Sequence, residues 1–244
     1  VFKKILTEIR GLIPEDLTSY LALDLAKIFK GSLYFLITYE KEEELPKVEN
    51  YLNKMLSRAE EKKIKSEAHL LKKAGLKELS QIIKEEKIKL AVLPLRDLKK
   101  SLKLPTTLVL GKFVHLGRLS PKRFLIILKE DLKRTKDYEN FLIGLLKAYP
   151  HTRVYILSVG EEIKWSEFQD FLKKHFPSHD WENWKTLSFK KLLIKILTKR
   201  IDFLVFPLES LFFWQINKKR FIKNLMEKTP CNLIVFKPGS IGAD

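Results

Sequence analysis

Short apolar runs alternate along this chain with longer stretches in which apolar residues recur every three or four positions, a pattern that predicts strands separated by helices. Phe2 to Ile9 is a mainly apolar run and reads as the first strand. Pro14-Glu15-Asp16 then supplies helix-start chemistry, with acidic groups facing the positive end of the dipole. Leu17, Tyr20, Leu21, Leu25, Ile28 and Phe29 follow at helical spacing up to Gly31, which reads as a C-terminal stop. The pattern predicts strand two over Ser32 to Tyr39, a charged helix from Pro46 to about Lys63, strand three over Ile64 to Leu71 and a helix over Leu76 to Glu86. Ile88 to Pro94 and Thr106 to Phe113 are the next two strands.

The second half repeats this order. It reads as strand Phe124 to Leu128, helix Asp137 to Tyr149, strand Arg153 to Val159, helix Ser166 to Phe176, a poorly defined strand at Trp184 to Leu187, helix Phe189 to Lys199 and strand Ile201 to Pro207. An amphipathic helix and a last apolar strand close the chain within the stretch Ile201 to Lys237. Strands joined through helices require right-handed crossovers, hence a parallel α/β sheet covered on both faces. Val114 to Pro121, punctuated by Gly117, reads as a linker between two domains, 1–113 and 122–238, with a tail at 239–244. Pro94 to Pro105 span 11 positions whereas Pro207 to Pro230 span 23, so the first copy lacks most of its last helix.

The 244 residues suffice for two such cores, and 45% hydrophobic with 32% charged residues is a globular composition. The formal charge of +17 would attract nucleic acid, anionic lipid or acidic partners, but lysine dominates it, with only 9 arginines. Abundant lysine and glutamate beside one cysteine and two methionines also looks like a thermophilic surface. Cys231 is alone, which excludes an intramolecular disulfide and favours a reducing, cytoplasmic compartment. No apolar run is long enough to span a bilayer, and the basic start VFKKILTEIRG is too interrupted for a signal peptide.

KKILTEIRG and KRFLIILKED as opening strands, LALDLAKIFKGSLYFLITYE as first helix and second strand, and the closing EKTPCNLIVFKP together resemble the universal stress protein family in its tandem form. The resemblance implies two Rossmann-like, flavodoxin-like doubly wound domains, each with a parallel five-stranded sheet of order 3-2-1-4-5. It places ligands beyond the carboxyl ends of the strands, where the order reverses. It also implies pairing of the two domains within the chain, or self-association, through the last strand.

ATP-binding members of that family carry an aspartate after the first strand and a loop G-x2-G-x9-G-[ST] after the fourth, whose glycines admit backbone N–H groups to the phosphates. Here Arg10 and Lys129 occupy the aspartate positions, and neither PLRDLKKSLKLP nor PLESLFFWQINKKR contains a glycine. The expectation is therefore that no nucleotide cofactor is held. The remaining candidate ligand positions are Arg10, Lys129, Arg96, Glu209 and Ser210, and two readings of the first two stand side by side. Either each cation receives an anion, or it drifts on the surface or pairs with a nearby acid such as Glu130, Asp131, Asp97 or Glu209.

Other constellations point to packing. Leu211-Phe212-Phe213-Trp214 could be a contact patch or could fill the vacated crevice, and Lys218-Lys219-Arg220 beside Phe221 reads as the solvated face of a helix or a single-strand nucleic-acid site. His175 and His179 stand four apart, but Pro177 between them breaks the helix that would align a metal pair. No Ser lies in a G-x-S-x-G elbow and no acid pair has assignable roles, so the expectation is a non-enzymatic stress or interaction module. The alternatives are a regulator binding an altered nucleotide or anion, charge-driven nucleic-acid binding, and a regulatory portion of a transporter.

Overall fold

The structure, a computed structural model, describes residues 2–10, 17–72, 75–94, 101–111, 121–129, 135–159, 170–184, 188–208, 224–225 and 227–237. The chain divides after Gly111 into two compact units. In the first, the elements are β1 (Lys4–Arg10), α1 (Leu17–Phe29), β2 (Ser32–Tyr39), α2 (Leu45–Glu61), β3 (Ser66–Lys72), α3 (Leu76–Glu85), β4 (Leu90–Pro94) and β5 (Thr107–Gly111). Their strands lie in the order β3-β2-β1-β4-β5, and every pairing among them is parallel.

Central strands are buried on both faces, which is why β2 reads as a continuous apolar run with Leu33 to Thr38 all buried. The edge strand β3 is mostly exposed and accordingly carries Glu67, His69 and Lys72. Helices α1 and α2 pack side by side, the Arg58 guanidinium lying 4.5 Å from the Tyr20 ring centre and Lys62 pairing with Asp24 at 2.7 Å. The crossover from β3 back to β4 takes α3 to the opposite face. There its C-terminal Glu86 meets Lys4 of β1 at 2.5 Å.

The second unit contains β6 (Arg123–Lys129), α4 (Thr135–Ala148), β7 (Arg153–Val159), a helical stretch at 170–175, β8 (Asp180–Trp184), α5 (Phe189–Thr198), β9 (Phe203–Pro207) and β10 (Asn232–Phe236). Its strands run β8-β7-β6-β9-β10, all parallel. Asp202 ties three of them at one end. Its carboxylate accepts the Lys122 and Arg123 N–H groups at 2.8 and 2.9 Å, its own N–H donates to the Arg123 carbonyl, and its carbonyl accepts the Asn232 N–H at 2.8 Å.

One expected element moves. The third strand of this unit is Asp180–Trp184, ahead of the expected Trp184 to Leu187. Among the described residues this strand pairs only with β7, so it is held by cross-strand contacts rather than by an apolar run. Arg153 of β7 donates to the Asp180 carboxylate at 2.5 Å, and Trp184 alone is buried, against Tyr155.

Helix ends show a shared device. At Lys30, Lys63, Lys87 and Arg200 the backbone has φ of 51, 56, 50 and 51°, the left-handed region that glycine favours. In each case the next residue, Gly31, Ile64, Ile88 or Ile201, donates its N–H five residues back, to Ala26, Ala59, Ile83 or Ile196. The basic residue itself donates three residues back, completing a Schellman closure. Gly31 is thus one residue past the left-handed position, contrary to its reading as the glycine stop. The cation offsets part of the backbone strain by facing the negative end of the helix dipole. Lys63→Gly and Lys87→Gly should each stabilise the protein by about 0.5–1 kcal/mol, measured by urea denaturation, with Ala at either position less stable than Gly.

Candidate functional site

The crevice lies where neighbouring strands part. β1 and β4 stay paired only from Ile5 opposite Leu90 to Thr7 opposite Val92, after which β1 continues to Arg10 and β4 to Pro94. β6 and β9 do the same, paired from Phe124 opposite Phe203 to Ile126 opposite Val205, with β6 then running to Lys129. β1 leads on to β2 on one side and β4 to β5 on the other, so the strand order reverses between them, the place where sheets of this kind hold ligands. Arg10 and Lys129 end β1 and β6 at equivalent places, each three residues past the last ladder pair. Their side chains lie outside the described part of the structure, as do Arg96, Glu209 and Ser210, the patch Leu211–Trp214 and the basic run Lys218–Arg220.

Two polar side chains stand on β1 at and just after its last pairing with β4. Thr7 is fully buried at the last ladder position, and its Oγ1 has no hydrogen-bond partner among the described residues. Glu8, next along β1, is half-buried and accepts a long 3.5 Å hydrogen bond from the Thr38 hydroxyl of β2. A carboxylate near the strand end disfavours a triphosphate, while the Thr7 hydroxyl, a donor, is fully buried. The second unit has Ile126 and Ile127 instead, both fully buried.

A residue that the sequence reading passed over stands just beyond β10. Burial pushes the Lys237 ammonium down to about 8, from an ordinary 10.5. Lowered amine basicity marks nucleophilic or anion-sensing lysines as readily as structural ones. The only hint in the sequence is a lysine directly following the apolar strand and preceding Pro238.

The two histidines diverge. His175 is exposed, stacks on Phe171 with ring centres 4.0 Å apart and has Nδ1 2.9 Å from the Phe171 carbonyl oxygen. His179 is buried between Phe176 and Trp181, its Nε2 without a hydrogen-bond partner. No group of three or more metal-binding side chains occurs among the described residues. Burial, with His151 adding repulsion, holds the His179 pKa below 6.5. A depressed value means that the fold prefers the neutral ring, so its contribution is complete above pH 6.5 and is lost as pH falls through the lowered value. The urea midpoint should therefore drop between about pH 7 and pH 5, and His179→Gln should flatten that drop.

Two shallow grooves lie away from the strand ends. One, of about 630 Å³, follows α2 into the start of β3, past Asn53, Ser57, Glu60 and Ser66. The other, of about 470 Å³, lies between α3 and the turn at Lys103-Leu104. No helix among the described residues is long and apolar enough to cross a membrane.

No family model and no curated protein matches the sequence. Solved structures do. A candidate universal stress protein from Pseudomonas aeruginosa UCBPP-PA14 superposes with a TM-score of 0.70 at 11% identity, over 98% of this chain and 94% of that one. A universal stress protein from Archaeoglobus fulgidus DSM 4304 gives 0.56 at 10% identity, over 95% and 96%. The cytoplasmic domain of a prokaryotic cation chloride cotransporter gives 0.58 at 12% identity, over 96% and 95%. Likeness at so low an identity speaks for the backbone, and on that ground the chain has the universal stress protein fold.

Proposed function

We propose that this chain is a universal stress protein-like module that does not hold ATP at its strand ends and acts by binding partners rather than by catalysis. The observation that carries the reading is the absence of glycine from the segments following β4 and β9, PLRDLKKSLKLP and PLESLFFWQINKKR. Every residue there has a Cβ, and several have large side chains, so the backbone amides are kept from the close approach that a phosphate cradle requires.

Calorimetric titration with ATP and Mg²⁺ tests it. The expected result is no saturable heat at millimolar nucleotide and no rise in melting temperature. Micromolar binding would overturn the reading, since ligand at about 100 times its Kd stabilises by about 2.7 kcal/mol, an unmistakable shift. Inorganic phosphate and cyclic dinucleotides in the same assay address the alternative of an altered anion site, which the equivalent placement of Arg10 and Lys129 supports.

The likeness to the cotransporter domain supports a second reading, in which the module regulates a membrane transporter. Affinity capture from detergent-solubilised membranes of the source cells should then retain a polytopic protein. Recovery of none would count against it.

A further inference from the structure

Helix α5 is amphipathic in the usual sense on its inner side only. Leu192 and Ile196 are fully buried against the sheet. At about 100° per residue, the direction opposite the midpoint of those two belongs to Ile194, with Lys190 and Leu197 close beside it. Ile194 is 50% exposed and Leu197 46%, an apolar pair one turn apart on the outward face. The other large exposed apolar residues among those described, Leu70 and Phe171, lie on separate elements.

Charge on this helix is of one sign. The sequence FKKLLIKILT has no acidic residue, and Lys199 and Arg200 follow directly. Lys195 and Lys199 turn inward, Lys195 Nζ lying 4.5 Å from the Trp184 ring centre and Lys199 Nζ 3.3 Å from the Glu182 carboxylate. Lys190 and Lys191 remain exposed and flank the apolar pair. By contrast α2 and α3 interleave Lys with Glu on their exposed faces, as solvated helices do.

We propose that the outer face of α5 docks on an anionic lipid surface. Ile194 and Leu197 enter the boundary between headgroups and acyl chains, while Lys190 and Lys191 keep their ammonium groups among the lipid phosphates and carboxylates. Charge complementarity selects the occupant. A uniformly cationic face matches a negatively charged leaflet, and a nucleic acid would satisfy the lysines but give the isoleucine and leucine nothing to bury against. The helix is already folded on the sheet, so docking does not bear the ordering cost that a free amphipathic peptide meets. This surface goes beyond the partner-binding reading above and is independent of the strand-end crevices.

Co-sedimentation of the full chain with phosphatidylcholine vesicles containing 30% phosphatidylserine, against phosphatidylcholine alone, tests the proposal. Binding should require the anionic lipid. Lys190→Glu with Lys191→Glu should weaken it by more than the about fivefold per charge that removal of one surface lysine costs. Ile194→Ser with Leu197→Ser should weaken it by about tenfold or more at unchanged net charge, with an unaltered circular dichroism spectrum. Lys47→Glu with Lys54→Glu on the exposed face of α2 makes the same change in net charge and should leave binding within about threefold, if the site and not the total charge is responsible. Equal loss in the α2 pair, or undiminished binding in the Ile194→Ser, Leu197→Ser protein, overturns the proposal. It is also overturned if the chain ignores anionic vesicles while binding a single-stranded oligonucleotide, or if the apolar substitutions abolish a concentration-dependent dimer instead.

Discussion

Phe236→Ala should cost about 3–5 kcal/mol, lowering the urea midpoint of the second unit by about 1.5–2 M. Phe236 is fully buried near the end of β10, with its ring 5.0 Å from Tyr138 and 5.6 Å from Phe141. Both partners belong to α4, and Tyr138 donates its hydroxyl to the Ile127 carbonyl of β6 at 3.0 Å. Removing the central ring leaves a cavity under a helix whose own buried phenol, pushed well above its usual pKa by burial, cannot turn outward without giving up that bond. All four tryptophans, Trp165, Trp181, Trp184 and Trp214, fall in the second unit, so their emission follows its unfolding. Phe236→Leu, which keeps most of the volume, should stay within about 1.5 kcal/mol of the parent. A loss that small for alanine as well would mean that the stack does not anchor β10. The substitution should also reach the neighbouring Lys237. Loosening the strand end lets water in, and its pKa should climb from about 8 back toward 10.5 in an amine-labelling pH profile.

The elements most legible in the sequence were those whose burial is complete or whose period is long. SLYFLITY could hardly be anything but a central strand, and the seventeen residues of α2 bury only Val48, Met55 and Ala59 along a helical stripe. Edge strand β8 was misplaced because DWENW has no apolar run to find. Its pairing rests on the backbone ladder with β7 and on Trp184 against Tyr155, with an exposed ion pair at its start, to a strand some thirty residues earlier. Helix closures were half legible. Gly31 pointed to the right turn, yet the left-handed residue in each closure is a lysine or arginine, whose letters look the same on any surface. For the candidate site, the strand ends followed from the repeated order of elements, whereas Arg10 and Lys129 came from the resemblance to the universal stress family, whose aspartate positions they occupy. What the sequence reading could not supply was Lys237. Its altered basicity comes from burial by the assembled fold, not from any neighbour in the chain.

Gly31→Ala should destabilise the first unit far more than Gly75→Ala. A Cβ at this position would sit 2.3 Å from the Phe2 carbonyl oxygen and 3.2 Å from that of Lys3, and both are backbone atoms that cannot swing aside. Relief requires the start of β1 to move away from β2, where the Ser32 N–H and hydroxyl both donate to the Lys3 carbonyl, at 2.8 and 3.1 Å. The expected cost is about 2–3 kcal/mol, or about 5–10 °C in a melt followed by circular dichroism. Gly75→Ala supplies the contrast. There the added carbon meets only the Glu78 carboxylate, with Oε2 at 2.8 Å, the far end of a flexible side chain that accepts the Gly75 N–H, and the change should stay within about 1 kcal/mol. If the two variants melted alike, the close approach between the end of α1 and the first strand would not be what demands glycine. The loss would then have to come from the Schellman closure, which Lys30→Gly would strengthen in the same assay.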